Sequence, residues 1–213
     1  MTPQHDKDTR FWDRAARKYA ADPIVDLAGY ETTLQVVAEQ LQPHHKVLEI
    51  GCGTGMTAVR LAGTTQFYLA TDISSEMIAI ARERIAGQAI PSLSFEVSEP
   101  GNANEVEDHY DIVLAFNVLH LVPSLPSTLD SLHRQLRPGG LLISKTPCLR
   151  LMNPLIRGVI PLMQKLGKAP SVNVLAPGDI EAALREAGFE IILQAWHGTK
   201  GKDARPYYVA RKQ

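Results

Sequence analysis

The chain has 213 residues, 45% of them hydrophobic and 21% charged, which suits one soluble domain with a sizeable core; this length argues against a second full domain but admits a sub-domain insertion. A formal net charge of −1 provides no global positive field to hold a polyphosphate, so nucleic acid is disfavoured as a partner. Two cysteines, Cys52 and Cys148, make no disulfide framework, and no Cys/His cluster has zinc-ligand spacing, so no metal is expected.

The polar start MTPQHDKDTR has no apolar run of the signal-peptide kind, and nowhere do eighteen apolar residues follow one another, which predicts no transmembrane segment and a reducing, cytoplasmic location. In chain order, Asp8 or Thr9 is expected to cap a short helix through Ala20, with Phe11, Ala15 and Tyr19 sharing one face. A second helix is read from about Gly29 to Leu41, before Pro43. KVLEIG is a strand, followed by a helix over 56–62; FYLATDI is the next strand, with a helix over 75–86 capped by Ser74 or Ser75. SLSFEV and YDIVLAFN are further strands around the polar loop SEPGNANEVEDH. Then come a helix over 124–136, the turn RPGG and the strand LLISKT. After a proline-spaced insertion, GDIEAALREAGF is a helix, and EIILQAW and PYYVARK are two closing strands. Strand and helix alternate and the middle strands are apolar on both faces, which calls for a mostly parallel sheet covered by helices on both sides. Ligands of such sheets bind outside the carboxyl ends of the strands.

At one of those ends lies GCGTG. Gly51, Gly53 and Gly55 follow the first strand, where the missing Cβ permits positive φ and close approach of a ligand to the backbone. The sixth position of the dinucleotide pattern GxGxxG is Met56, and no P-loop lysine is present, so the turn lacks a phosphate cradle. Asp72 ends the second strand, where a carboxylate can accept from both hydroxyls of a ribose. Glu49 in an apolar strand suits a nearby cationic or amine-bearing ligand. Ribose, positive charge and no phosphate together point to S-adenosylmethionine. Taken singly, the glycines could serve tight packing, Asp72 could cap a helix, and Glu49 could bond neighbouring amides.

VLEIGCGTG, TDISSEMIAIAR, YDIVLAFNVLHLV and LRPGGLLISKTP resemble the successive motifs of class I S-adenosylmethionine-dependent methyltransferases, in the small-molecule branch that includes the ubiquinone/menaquinone biosynthesis enzymes. FWDRAARKYA is similar to the N-terminal helix of that branch, whose aromatic residues approach the cofactor. The resemblance spans about residues 11–147. It implies an α/β, Rossmann-like seven-stranded sheet of order 3-2-1-4-5-7-6 with the last strand antiparallel, and S-adenosylhomocysteine as product. It also implies roles: Glu49, Gly51, Cys52 and Gly53 around the methionine part, Asp72 on the ribose, Ile73 and Met77 against the adenine. Ser98 and Glu99 stand where the family reaches the adenine edge, Asn117 near the methyl group, and Tyr19 over the cofactor. SEP replaces the usual Gly-Asp at 98–100. NVLHLVP lacks the Asn/Asp-Pro-Pro-aromatic loop of amino-methylating relatives, and no second cysteine supports Cys148 as a nucleophile.

No catalytic base follows from the sequence. His120 is the best-placed candidate; the competing reading has it hydrogen-bonding its own loop. Residues 1–213 are read as one domain, with N-terminal helices over 9–41 and a candidate substrate lid over 148–176. That segment holds Arg150, Arg157, Lys165 and Lys168 and no acid, and its helical periodicity is expected to break at Pro154, Gly158 and Pro161. A lid of this kind suits a hydrophobic or anionic small-molecule acceptor; a variant of the same reading lays the apolar face on a membrane surface. Two other functions stay open: a non-catalytic module that binds the cofactor or a nucleoside, and a nicotinamide-dependent oxidoreductase. Oligomeric state is not encoded in any feature above.

Overall fold

The structure, a computed structural model, describes residues 3–100, 102, 109–152, 154–200 and 203–213, with the side chains of 3, 4 and 154–157 left aside. Seven strands form one sheet: β1 (Lys46–Ile50), β2 (Phe67–Asp72), β3 (Leu93–Val97), β4 (Tyr110–Phe116), β5 (Leu136–Lys145), β6 (Phe189–Ala195) and β7 (Tyr207–Lys212). Their order is β3-β2-β1-β4-β5-β7-β6. The first five run parallel, and β7 inserts antiparallel between β5 and β6. This is the expected fold and strand order.

The helices are α1 (Pro3–Ala21), α2 (Leu27–Ala38), α3 (Met56–Leu61), α4 (Ser75–Arg84), α5 (Leu125–Gln135), α6 (Pro154–Lys165) and α7 (Pro177–Glu186). Residues of β1 and β4 are apolar on both sides because each side meets helices. One face packs Leu48, Ile50 and Val113 against Leu129, Leu132 and Leu184 of α5 and α7. The other packs Val47, Tyr68 and Leu114 against Val37, Leu61 and Ile78 of α2, α3 and α4. A fully buried side chain of this size contributes about 1.5–3 kcal/mol, so the two layers together make the sheet the rigid body of the molecule.

Several local expectations need correction. Helix α1 begins five residues before the expected cap at Asp8, and its inward face is Trp12, Ala16 and Ala20, packed on Met77 and Ile80 of α4. Phe11, Ala15 and Tyr19 flank that face instead. Helix α2 starts at Leu27 and stops at Ala38, because Asp26 caps it through Gly29 N at 3.1 Å. RPGG is not a separate turn: β5 begins directly after α5 and runs through it, with Gly139 at φ +77° and a register shift opposite Tyr110 and Ile112. The insertion does not break at Gly158 or Pro161; α6 continues through Pro161, which removes one main-chain donor rather than the whole helix. Arg157 falls among the residues whose side chains are not described. At the opposite border of the sheet, β6 carries a bulge between Ile191 and Leu193.

Candidate functional site

The chain leaves β1 through three left-handed glycines, Gly51 (φ +64°), Gly53 (φ +54°) and Gly55 (φ +76°). Each serves a different need. A Cβ on Gly51 would sit 2.5 Å from Val118 Cγ2 in the loop after β4. On Gly55 it would sit 2.8 Å from the Phe95 ring and 2.9 Å from Ala81 Cβ, so this glycine lets α3 pack on the sheet. On Gly53 it would point at Tyr19 Cε1, 3.7 Å away, into the space between turn and helix. The packing explanation thus holds for Gly55, whereas Gly53 presents bare backbone to a cavity.

Asp72 closes that turn. Its Oδ2 accepts from Gly53 N and its Oδ1 from Ser74 N, both at 2.9 Å. The helix-capping alternative goes to Ser74, whose Oγ accepts from Met77 N at 3.1 Å and donates to Asp13 Oδ1 at 2.7 Å. Burial raises the pKa of Asp72, and the two amide bonds counter it. A carboxylate has about four acceptor sites, and Asp72 lines the cavity, so the group is an anchored acceptor with capacity to spare.

The cavity encloses about 920 Å³ of free space, part of it open to solvent. Of the residues expected at the site, Tyr19, Gly51, Gly53, Asp72, Ile73, Met77, Glu99 and Asn117 all line it. Asn117 stands at the end of β4 with φ +54°, the one non-glycine among the described residues with positive φ, and its N–H donates to Lys145 O at 2.8 Å. Left-handed backbone at a non-glycine residue costs energy that the surroundings must offset, and it turns the chain toward the cleft. Glu99 lies 3.4 Å from His5 Nε2 at the rim.

Three expected residues are not among those lining the cavity. Glu49 points to the α2–α3 face, accepts from the Tyr68 hydroxyl at 2.7 Å and is pushed up to about pKa 8 by burial. Side chains alternate along a strand, so β1 turns this carboxylate away from the cleft; it is neutral at pH 7, and a tyrosine rather than backbone amides satisfies it. Cys52 is buried behind the turn, which raises its thiol pKa. Ser98 uses its N–H on Asp72 O at 3.0 Å and its hydroxyl on Glu99 O at 3.4 Å. His120 also lies outside the lining: burial lowers its pKa to about 4, and its Nδ1 has no partner among the described residues. Its carbonyl accepts from Asn173 N at 2.7 Å, tying the loop after β4 to the segment after α6.

Other lining residues were not singled out individually from the sequence, although Trp12 lies in the aromatic N-terminal stretch and Pro170 and Ser171 in the expected lid. Trp12 meets Tyr19 edge-on at 6.4 Å between ring centroids. The aromatic pair Phe11–Trp12 was the available signal, but helical spacing alone assigned the wrong partner to the inward face. Pro170 and Ser171 come from the segment after α6, held by Ser171 N donating to Asp8 Oδ1 at 2.8 Å. Leu121, Val122 and Pro123 supply an apolar wall. Among the described residues no helix is long and apolar enough to cross a membrane.

A family model described as a methyltransferase domain matches residues 41–208. The chain belongs to that family. Its sheet order is that of the class I, S-adenosylmethionine-dependent methyltransferases. Among curated relatives it is 33% identical to the highly reducing polyketide synthase lcsB of Purpureocillium lilacinum over 136 residues, 59% of this chain and 5% of that protein. The chain therefore spans about one-twentieth of that relative's length. Among solved structures, an S-adenosylmethionine-dependent methyltransferase from Mesorhizobium loti superposes with a TM-score of 0.72 at 18% identity, covering 87% of this chain and 98% of that one. The CurJ carbon methyltransferase gives 0.62 at 23% identity, covering 81% and 50%. At these identities the structural likenesses establish the fold. Family membership sets the nicotinamide oxidoreductase reading aside.

Proposed function

We propose that this methyltransferase moves a methyl group from S-adenosylmethionine to a small molecule whose reacting end is apolar. The observation that carries the reading is Asp72, anchored by two backbone amides and lining a cleft together with the bare backbone of Gly51 and Gly53. In this reading Asp72 accepts from the two ribose hydroxyls, and Ile73 and Met77 flank the adenine. Gly51 and Gly53 let the methionine part pass close to the main chain, with Asn117 beside it and Tyr19 over it. Glu49 and Cys52 support the turn from behind, and Ser98 acts through its backbone. Charge-assisted hydrogen bonds of the Asp72 type are worth about 1.5–3 kcal/mol each.

When bound, the sulfonium supplies an already activated methyl group. What remains for the chain is alignment and exclusion of water. Phe116, Leu121, Val122, Pro123 and Pro170 give the cleft an apolar portion, suited to hold an acceptor by burial rather than by hydrogen bonds. The polyketide synthases and the carbon methyltransferase among its relatives support an acceptor of that character. We read residues 148–176 as the lid over it, joined to the cleft through Pro170 and Ser171.

Calorimetry with S-adenosylhomocysteine and with NADH tests the cofactor part: uptake of the first and not the second is expected, and uptake of neither sinks the reading. Release of S-adenosylhomocysteine during an acceptor screen, against none without acceptor, separates a working enzyme from a binding module.

A further inference from the structure

A second cavity adjoins the first. It lies between the outer end of α1 and the turn after α6 and encloses about 1630 Å³, counted out to bulk solvent. Asp8 and Ser171 line both cavities, so the bridge between them, Ser171 N to Asp8 Oδ1, is a shared wall.

Cations outnumber acids in its lining. Lys7, Arg10 and Arg14 recur at spacings of three and four on one stripe of α1, and Lys165 faces them from the last turn of α6. The acids there are Asp6 and Asp8. Several exposed arginines elsewhere are paired, Arg17 with Glu83 at 2.8 Å, Arg60 with Glu31 at 2.7 Å and Arg137 with Asp111 at 2.9 Å, whereas Arg82, Arg134 and Arg150 have no such ion pair among the described residues. Among the described residues no carboxylate pairs with Lys7, Arg10, Arg14 or Lys165. In a chain of net charge −1, this cavity is a local positive excess of two charges.

Capping of α6 accounts for only part of the excess. Arg14 donates to Gly167 O at 3.5 Å, just beyond that helix, whereas Arg10 bonds its own helix at Asp6 O. Lys7 and Lys165 have no described acceptor that explains them. Concave positive surface with spare donors concentrates anions.

We propose that the outer cavity seats a dianionic group at the far end of the methyl acceptor, a phosphate ester or a pair of carboxylates, while the apolar end passes the Asp8–Ser171 bridge into the cleft. The proposal rests on the methyl-transfer reading above. The acceptor is then amphiphilic: its charged end fixes depth and orientation, and its apolar end is methylated.

The test titrates inorganic phosphate and malonate into the full chain at fixed ionic strength. Three variants accompany the wild type: the double variant Lys7→Glu/Arg10→Glu, Lys165→Gln on the opposite wall, and Arg17→Glu outside the cavity. S-adenosylhomocysteine affinity is read in parallel as a check on folding and on the inner cleft. Expected is anion binding to the wild type, weakened tenfold or more in the double variant and severalfold in Lys165→Gln, and unaltered in Arg17→Glu. S-adenosylhomocysteine affinity should stay the same throughout. Tighter phosphate than malonate assigns an ester, the reverse a dicarboxylate, and both uphold the site. No anion binding to the wild type, or equal binding to the wild type and both cavity variants, overturns it. A wild type that binds anions but not S-adenosylhomocysteine sinks the cofactor reading instead, and with it the assignment of the anion to an acceptor.

Discussion

The floor of the cleft is built from the carboxyl ends of β1, β2 and β4, and its cover from α1 and the residues after α6. The floor is held by main-chain geometry: left-handed glycines, amides on Asp72, and strand pairing on both sides of β1. The cover is held by side-chain contacts between distant parts of the chain: α1 packs on Met77 and Ile80 of α4, Asp13 accepts from Ser74, and Asp8 accepts from Ser171. Helix α6 and the residue after it leave Val159, Leu162 and Leu166 exposed at 52–60%. Positions whose backbone conformation is dictated tolerate little change, whereas positions that only contribute surface can be exchanged. On this footing the proposed function assigns cofactor recognition chiefly to the floor and acceptor choice chiefly to the cover.

The comparison is broken most directly at Asp72. Asp72→Ala should reduce S-adenosylhomocysteine affinity by 100-fold or more by calorimetry, at about 1.5–3 kcal/mol for each of two charge-assisted bonds. A loss below threefold would remove the carboxylate from the floor's function. Next comes Gly51→Ala: left-handed backbone and a contact 2.5 Å from Val118 should cost roughly 2–5 kcal/mol of unfolding free energy. Gly63→Ala, with nothing within 4 Å of the new Cβ, should stay within roughly 0.5 kcal/mol of the wild type. Similar losses in both variants would show that steric need does not single out the turn.

Glu49 sharpens the comparison through pH. The folded chain holds its proton up to about pH 8, whereas an exposed glutamate releases it near 4.5. Between those values the folded state binds more protons, so stability falls as pH rises, by at most about 1.4 kcal/mol per unit, and levels off above. His120 acts with the opposite sign: its pKa is lowered to about 4 from 6.5, so stability rises with pH across that window. Glu49→Gln should remove the falling component in denaturant midpoints measured from pH 5 to 9, with little change in cofactor affinity. A tenfold loss of affinity would return Glu49 to the site. The smallest effect is expected in the cover, where Tyr19→Ala should weaken S-adenosylhomocysteine about threefold to tenfold, the ~0.5–1.5 kcal/mol of an aromatic contact.

These differences also explain what could be read from the residues alone. The sheet order, the glycine turn, Asp72 and Asn117 are legible because strand periodicity and backbone sterics act over a few neighbours. Glu49 is not among the residues lining the cavity, since an alternating strand has two faces and the motif does not say which one meets the cleft. Trp12 was missed because helical spacing on α1 permits two adjacent faces, and Met77 and Ile80 of α4 decide between them. The lid expected over 148–176 contains Pro170 and Ser171, but nothing in APSVN singles these two out as the residues that reach the cleft; that depends on a hydrogen bond to Asp8, far away in the chain.

The bulge at Ile191–Leu193 matters for how the protein behaves at high concentration. It sits on the outermost ribbon, beside the Glu190–Arg211 ion pair at 3.9 Å. A kinked, charge-flanked selvedge offers a newcomer no straight row of donors and acceptors to zip onto, although Ile192 and Leu193 are partly exposed there. Straightening it by deleting Ile192 would make this border sticky, turning a well-behaved solution into one prone to side-by-side association.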